Sequence, residues 1–227
     1  MKKITILLIV LSSIGLTAQT KTELQNHFEA YYSQMKKQGD IQGIINAMTH
    51  LDVMDPSQAR KDTLAYIYVS EGRNLEALNT IGIEKNPTDS NINVEVKAIA
   101  LKALNQPKRA LEQYEVLFER QPSPNLAYEI ADLKIQTQDL PGATTSIEYG
   151  LANVKDDMAR TFYETQQPYQ TSLKAALLYL KALVIFSEDQ NENVEASLAI
   201  MNRALAIDPD FNLAKVSKNA LLNRKKE

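Results

Sequence analysis

The two histidines are the first side chains to consider for catalysis or metal binding, and neither lies in a recognisable motif. His27 and His50 have no second histidine four residues away, so the zinc pattern of metalloproteases is absent from the sequence. No serine has flanking glycines at the spacing of a nucleophile elbow, and the seven glycines form no phosphate-binding cluster. The sequence therefore predicts no catalytic residue, no cofactor and no enzymatic activity.

An acidic run at residues 189–195 is similar to the beginning of a calcium loop, because oxygen-bearing side chains occupy alternate positions. Two required residues are missing from this run. Val194 lies at the sixth place, where the loop needs glycine, and Ile200 lies where the bidentate glutamate belongs. A solvent-exposed loop between helices is therefore predicted, with no metal site.

The composition predicts a folded helical protein that does not bind nucleic acid. Hydrophobic residues make up 44% of the 227 residues and charged residues 23%, and few glycines and prolines interrupt long stretches of good helix formers. The absence of cysteine excludes a disulfide scaffold. A formal net charge of −3 without a basic stripe argues against a nucleic-acid partner.

The segment at residues 1–18 has the pattern of a secretory signal peptide. Lys2 and Lys3 precede an apolar run at residues 4–16, and we expect cleavage after Ala18. The run is shorter than the roughly 20 residues that span a bilayer, although an uncleaved membrane anchor is the alternative. Cleavage would change the formal net charge from −3 to −5, because two lysines are lost. We therefore expect a periplasmic or secreted protein of a Gram-negative bacterium, not inserted in a membrane after cleavage.

Small and apolar residues recur along the chain at a constant interval, with a period of about 33 residues. Two alanine columns share this spacing, and a large apolar residue follows the second column four positions later. These residues are Ala65, Ala98 and Ala131; Ala77, Ala110 and Ala143; and Ile81, Tyr114 and Ile147. A turn column with the same spacing comprises Gly39, Gly72 and Asn105, and Gln138 breaks it. The pattern predicts a repeated unit of two helices, each first helix ending at a left-handed residue.

These columns resemble the tetratricopeptide repeat, most clearly at residues 64–77, 110–122 and 204–211. The resemblance implies an all-α fold, a right-handed solenoid of antiparallel helix pairs with a C-terminal capping helix. It places this domain at residues 19–227. The expected repeats cover about 25–57, 58–90, 91–123 and 124–156, followed by an irregular repeat at 171–209 and a capping helix at 211–223.

The irregular repeat follows an insertion at residues 156–170. Phe162, Tyr163 and Tyr169 form an aromatic cluster there, and this cluster is the second candidate for contact with a partner. The alternative is a packed segment: the second helix of the fourth repeat continues past residue 155, and a connector leads to a buried helix at 171–186.

In tetratricopeptide proteins the first helix of each unit lines a concave groove. The resemblance places eight residues of this chain on that surface: Glu29, Ser33, Asp62, Tyr66, Glu95, Ile99, Tyr128 and Asp132. An acidic groove with tyrosines suits an extended segment that carries lysine or arginine and an apolar anchor, whereas a solvated helix face is the alternative. The predicted function is an exported adaptor that binds a protein or peptide partner. A structural or assembly role in a cell-envelope complex is the alternative.

Overall fold

The computed structural model describes residues 21–224. The predicted signal peptide and its cleavage site lie outside the described residues, as do residues 225–227. Within residues 21–224, no helix is long and apolar enough to cross a bilayer.

Eleven α-helices and one short β-hairpin make up the described chain. Ten of the helices form successive pairs: α1 (Lys21–Gln38) with α2 (Ile41–Met54), α3 (Gln58–Ser70) with α4 (Asn74–Ile81), α5 (Asn91–Ala103) with α6 (Pro107–Arg120), α7 (Pro124–Gln136) with α8 (Leu140–Asn153), and α9 (Leu173–Glu188) with α10 (Val194–Ile207). A last helix, α11 (Asn212–Arg224), packs against α10. The predicted all-α repeat fold with a C-terminal helix is confirmed.

The alanine columns form the contacts between helices. All six alanines are fully buried, so the helix backbones can approach one another closely. Helix α3 packs against α5, and α7 packs against α9, which stacks the first helices of neighbouring pairs. Helix α1 is the exception, since none of its residues is buried and Tyr32 replaces the alanine of the other first helices.

The three residues of the turn column have the backbone conformation that the sequence predicts, and Gln138, which was expected to break the column, has the same conformation. Gly39, Gly72, Asn105 and Gln138 have φ angles of 69°, 72°, 56° and 64°. One residue later, an N–H donates back to a carbonyl five positions earlier, as from Arg73 to Tyr68 at 2.8 Å and from Asp139 to Lys134 at 2.9 Å. This bond closes the helix end. Gln138 therefore adopts the same turn as the glycines, although its side chain disfavours it.

The insertion is a β-hairpin, so the prediction that the second helix of repeat four continues past residue 155 was wrong. Helix α8 ends at Asn153, and β1 (Ala159–Phe162) pairs antiparallel with β2 (Tyr169–Ser172). Both strands contain an aromatic residue and a threonine, which favour pleated over helical backbone. Phe162 of β1 and Thr171 of β2 are buried. The following helix consequently begins at Leu173 rather than at residue 171.

Helix α9 is the most deeply buried helix of the second half, with eight buried residues around its circumference. Gly150 of α8 allows its close approach, because a Cβ atom at that position would lie 2.7 Å from Cδ2 of Leu177. One core cluster joins residues of α7 to α11 with Phe162 of the hairpin. The hairpin is therefore part of the packed structure of the last repeats.

Candidate partner-binding surface

The eight predicted groove residues lie on the first helices α1, α3, α5 and α7, and the helix faces that carry them are here called the groove surface. Five of the eight are exposed: Glu29, Ser33, Tyr66, Glu95 and Ile99. Asp132 is half-buried, whereas Asp62 and Tyr128 are each only 4% exposed. The expectation that Asp62 and Tyr128 lie open on this surface therefore needs correction.

Asp62 connects α3 to the beginning of α5. Its carboxylate accepts hydrogen bonds from Gln58 Nε2 at 2.8 Å, Ser90 Oγ at 2.6 Å and Asn93 Nδ2 at 2.8 Å. Ser90 is also the N-cap of α5, since its hydroxyl accepts from the Asn93 N–H. Burial alone raises the pKa of Asp62, but these three donors and the charge of Lys97 outweigh burial and lower it. Asp62 is thus a structural residue between two repeats.

Tyr128 is covered by the β-hairpin. The Arg160 guanidinium lies 4.1 Å from the centre of the Tyr128 ring, and Phe162 meets the same ring edge-on at 6.4 Å. Phe162 also stacks on Tyr169 at 5.7 Å and contacts Phe211 at 5.1 Å. The two predicted sites therefore meet, because Tyr128 of the groove set packs against Phe162 of the insertion set. Tyr163 lies apart from them and is 75% exposed.

A network of ion pairs connects α5, α7 and the hairpin. Lys102 Nζ lies 2.7 Å from Glu129 and 2.6 Å from Asp132, and Arg160 donates to Glu129 at 2.7 Å. Burial by itself raises the pKa of Glu129, but the two cations outweigh burial and hold the pKa below its usual range. Burial lowers the pKa of Lys102, yet the paired carboxylates raise it on balance.

Three residues at this surface were not predicted from the sequence: Ile92, Lys102 and Arg160. Lys102 lies one turn after Ile99, and Ile92 one turn before Glu95, so helical spacing alone could have placed both on the groove face. No sequence signal pointed to Arg160, because its contact with α7 depends on how the hairpin folds back.

The exposed large apolar side chains of the groove surface lie on α3 and α5. Tyr66 is 49% exposed, Ile92 47% and Ile99 36%, and Glu95 lies between the two isoleucines on the α5 face. A cleft of about 230 Å³ adjoins this face. It is lined by Glu95, Ile99, Tyr114, Leu117, Asn125, Leu126 and Glu129. Burial raises the pKa of the Tyr114 hydroxyl well above its usual value, so this tyrosine stays neutral.

Within residues 21–224, no cluster of three or more His, Cys, Asp or Glu side chains is arranged to hold a metal ion. His50 stacks on Phe28 at 4.2 Å, and His27 meets Phe28 edge-on at 5.5 Å. Asp189 caps its own loop by accepting from the N–H groups of Asn191 and Glu192. Each of these side chains therefore has a packing or capping role.

Solved structures with a similar fold include the two described below, whereas no protein-family model and no curated protein matches the chain. A tetratricopeptide repeat protein from Parabacteroides merdae ATCC 43184 has a TM-score of 0.64 at 17% identity, over 87% of this chain and 72% of that chain. YrrB, described as a TPR protein with an unusual peptide-binding site, has a TM-score of 0.65 at 14% identity, over 85% of this chain and 90% of that chain. The protein described here therefore has the tetratricopeptide-repeat fold.

Proposed function

We propose that this protein is an exported adaptor that binds a protein or peptide partner through the groove surface. One observation carries the proposal: Tyr66, Ile92 and Ile99 are large apolar side chains left exposed on the neighbouring first helices α3 and α5, and Ile99 also lines a cleft. Exposed apolar groups that adjoin on a folded surface are typical of interaction sites. The peptide-binding site named for YrrB supports the choice of a polypeptide as partner. The proposal assigns the chain no catalysis.

Export is the part of the proposal that depends on residues 1–18. Their basic start, short apolar run and Ala18 support a signal peptide and a periplasmic or secreted location. Expression of the full chain in a Gram-negative host tests this part. We expect the protein in the periplasmic fraction with Gln19 at its N-terminus, as read by mass spectrometry. An intact N-terminus in the cytoplasm would contradict export.

A structural or assembly role in a cell-envelope complex is the second candidate. It is favoured by Tyr163, because this aromatic side chain is 75% exposed on the hairpin and is not one of the groove residues. A partner held through Tyr163 would leave the groove surface free. The two candidates therefore predict different sensitive residues.

Cross-linking capture from a cell-envelope extract distinguishes the two candidates. The test variant is Tyr66→Ala/Ile99→Ala, since both side chains are exposed and their removal should leave the fold intact. The matched control is Val53→Ala/Leu75→Ala, which removes side chains of 77% and 61% exposure from the second helices α2 and α4. We expect the test variant to lose captured proteins that the wild type and the control retain. If captured proteins were lost only with Tyr163→Ala, the result would support the envelope role instead.

A further inference from the structure

The β-hairpin covers the groove surface at its C-terminal end. Arg160 and Phe162 lie on Tyr128 of α7, while Thr171 donates to the Asp208 carboxylate after α10. On α7, only Asn125 and Gln136 remain exposed, and α9 is buried on most sides. A partner on the groove surface can therefore contact α1, α3 and α5, whose groove residues include exposed ones, and the hairpin limits how far it extends toward α9.

Within this part of the groove surface, helix α5 has an exposed face with regularly spaced residues. Ile92, Glu95 and Ile99 are spaced by three and four residues, so their side chains share one side of the helix. Tyr66 on α3 has the same position in its repeat as Ile99 has in the next one. The exposed stripe thus has one carboxylate between apolar side chains.

Charge pairing distinguishes Glu95 from its neighbours. Lys102, Glu129, Asp132 and Arg160 are paired with one another in the ion network. Among residues 21–224, Glu95 forms no ion pair and no side-chain hydrogen bond within the chain, and it is exposed. A ligand on the α5 face therefore meets one uncompensated negative charge, and the cations of the network are already neutralised.

We infer that α5 is the recognition helix and that it selects a polypeptide segment with a lysine or arginine placed at Glu95, between apolar side chains that pack on Ile92 and Ile99. The inference deepens the proposed function and rests on it. Opposite charge at the contact supplies specificity, and the apolar contacts supply buried area. The ion network and hairpin close the C-terminal side of this site, so the segment does not continue along α7 and α9.

A random peptide library displayed on phage provides the probe. It is selected against residues 19–227, and the enriched peptides are then measured by fluorescence anisotropy. We expect them to carry lysine or arginine flanked by apolar residues. Glu95→Lys should weaken their binding by roughly tenfold or more, and changing the peptide's basic residue to glutamate should restore binding to that variant. Glu112→Lys makes the same charge change on an exposed site of α6 and should leave affinity unchanged.

A photo-cross-linking residue places the bound peptide on the surface. We expect cross-links from position 99 and none from position 163 on the hairpin. Peptides that need Tyr66 yet bind Glu95→Lys as tightly as wild type would overturn the inference and leave the proposed function standing. Cross-links from position 163 would overturn the closure of the groove by the hairpin. A library that yields no binding peptide would overturn both.

Discussion

Single residues of this chain show how the repeat turn tolerates different side chains. Gln138 has a φ of 64°, the left-handed region in which a Cβ atom crowds the following carbonyl oxygen. Glycine occupies the equivalent positions 39 and 72 without that cost. The backbone bond from Asp139 to Lys134 holds the turn in place even so. The repeat thus imposes its turn on a residue that disfavours it.

Replacing Gln138 by glycine should therefore stabilise the protein. We expect Gln138→Gly to raise the free energy of unfolding by about 1 kcal/mol, because it removes the left-handed strain while adding some chain entropy to the unfolded state. Urea unfolding followed by circular dichroism measures the change. The reciprocal variant Gly72→Ala should lower stability by a similar amount. A lower urea midpoint for Gln138→Gly would contradict the argument.

Asp62 gives a pH-dependent contribution whose sign follows from its lowered pKa. The unfolded carboxyl binds a proton near its ordinary pKa of 3.8, whereas the folded carboxyl resists protonation. Stability from Asp62 is therefore present above that value and is lost as pH falls through the lower, folded pKa. Asp62→Asn should cost about 1–3 kcal/mol at neutral pH, because its amide faces three donors.

Urea midpoints of wild type and Asp62→Asn, measured from pH 7 down to pH 2, test this prediction. The difference between the two proteins should be constant near neutral pH and should shrink below about pH 4. Glu129 also titrates in the acid range, but it is present in both proteins and cancels to first order. A difference that does not change with pH would exclude the proposed role of the Asp62 charge.

At the scale of elements, the β-hairpin is held by one charged contact in addition to its apolar packing. Arg160 pairs with Glu129 and covers the Tyr128 ring. Arg160→Ala should lower the free energy of unfolding by about 1–3 kcal/mol, because it exposes the ring and leaves the mostly buried Glu129 with Lys102 as its remaining cation.

Arg109→Ala is the matched control for that change. Arg109 pairs with Glu84 at 2.8 Å, but their side chains are 39% and 85% exposed, so solvent screens the pair. Its removal should cost less than about 1 kcal/mol. Thermal unfolding of both variants measures how much each substitution lowers stability. If both substitutions lowered the free energy of unfolding equally, Arg160 would not stabilise the hairpin.

The whole molecule is unevenly packed from one end to the other. Helix α1 buries no residue, whereas α9 buries eight and shares a core cluster with the hairpin, α10 and α11. In a stack of repeats, each unit is stabilised mainly by its neighbours, and α1 lies at one end of the described helices. Local opening should therefore start at α1 and reach α9 last.

Hydrogen exchange read by mass spectrometry checks this order. We expect peptides from residues 21–38 to exchange before those from 173–188, because opening α1 exposes little apolar surface. Helix α5 serves as an internal reference, since it has seven buried residues in the middle of the stack. Exchange of all three helices at one common rate would instead indicate a single cooperative unit.

The repeat could be predicted from the amino-acid sequence alone. The constant period, the buried alanines and the left-handed turn residues are local features, since each depends on the spacing within one or two helices. The positions of Tyr66, Glu95 and Ile99 on the first helices follow from the same spacing, and these three side chains are exposed, as are Glu29 and Ser33. The local pattern could not show that Asp62 would be buried by the beginning of α5.

The fold of the insertion and the part of the groove surface that stays open depend on contacts between distant parts of the chain. The contact from Arg160 to Glu129 joins residues far apart in the chain, and it exists because the hairpin folds back over α7. Such long-range contacts depend on packing and produce no periodic pattern in the sequence. The burial of Tyr128 and the pairing of Lys102 with residues of α7 depend on such contacts.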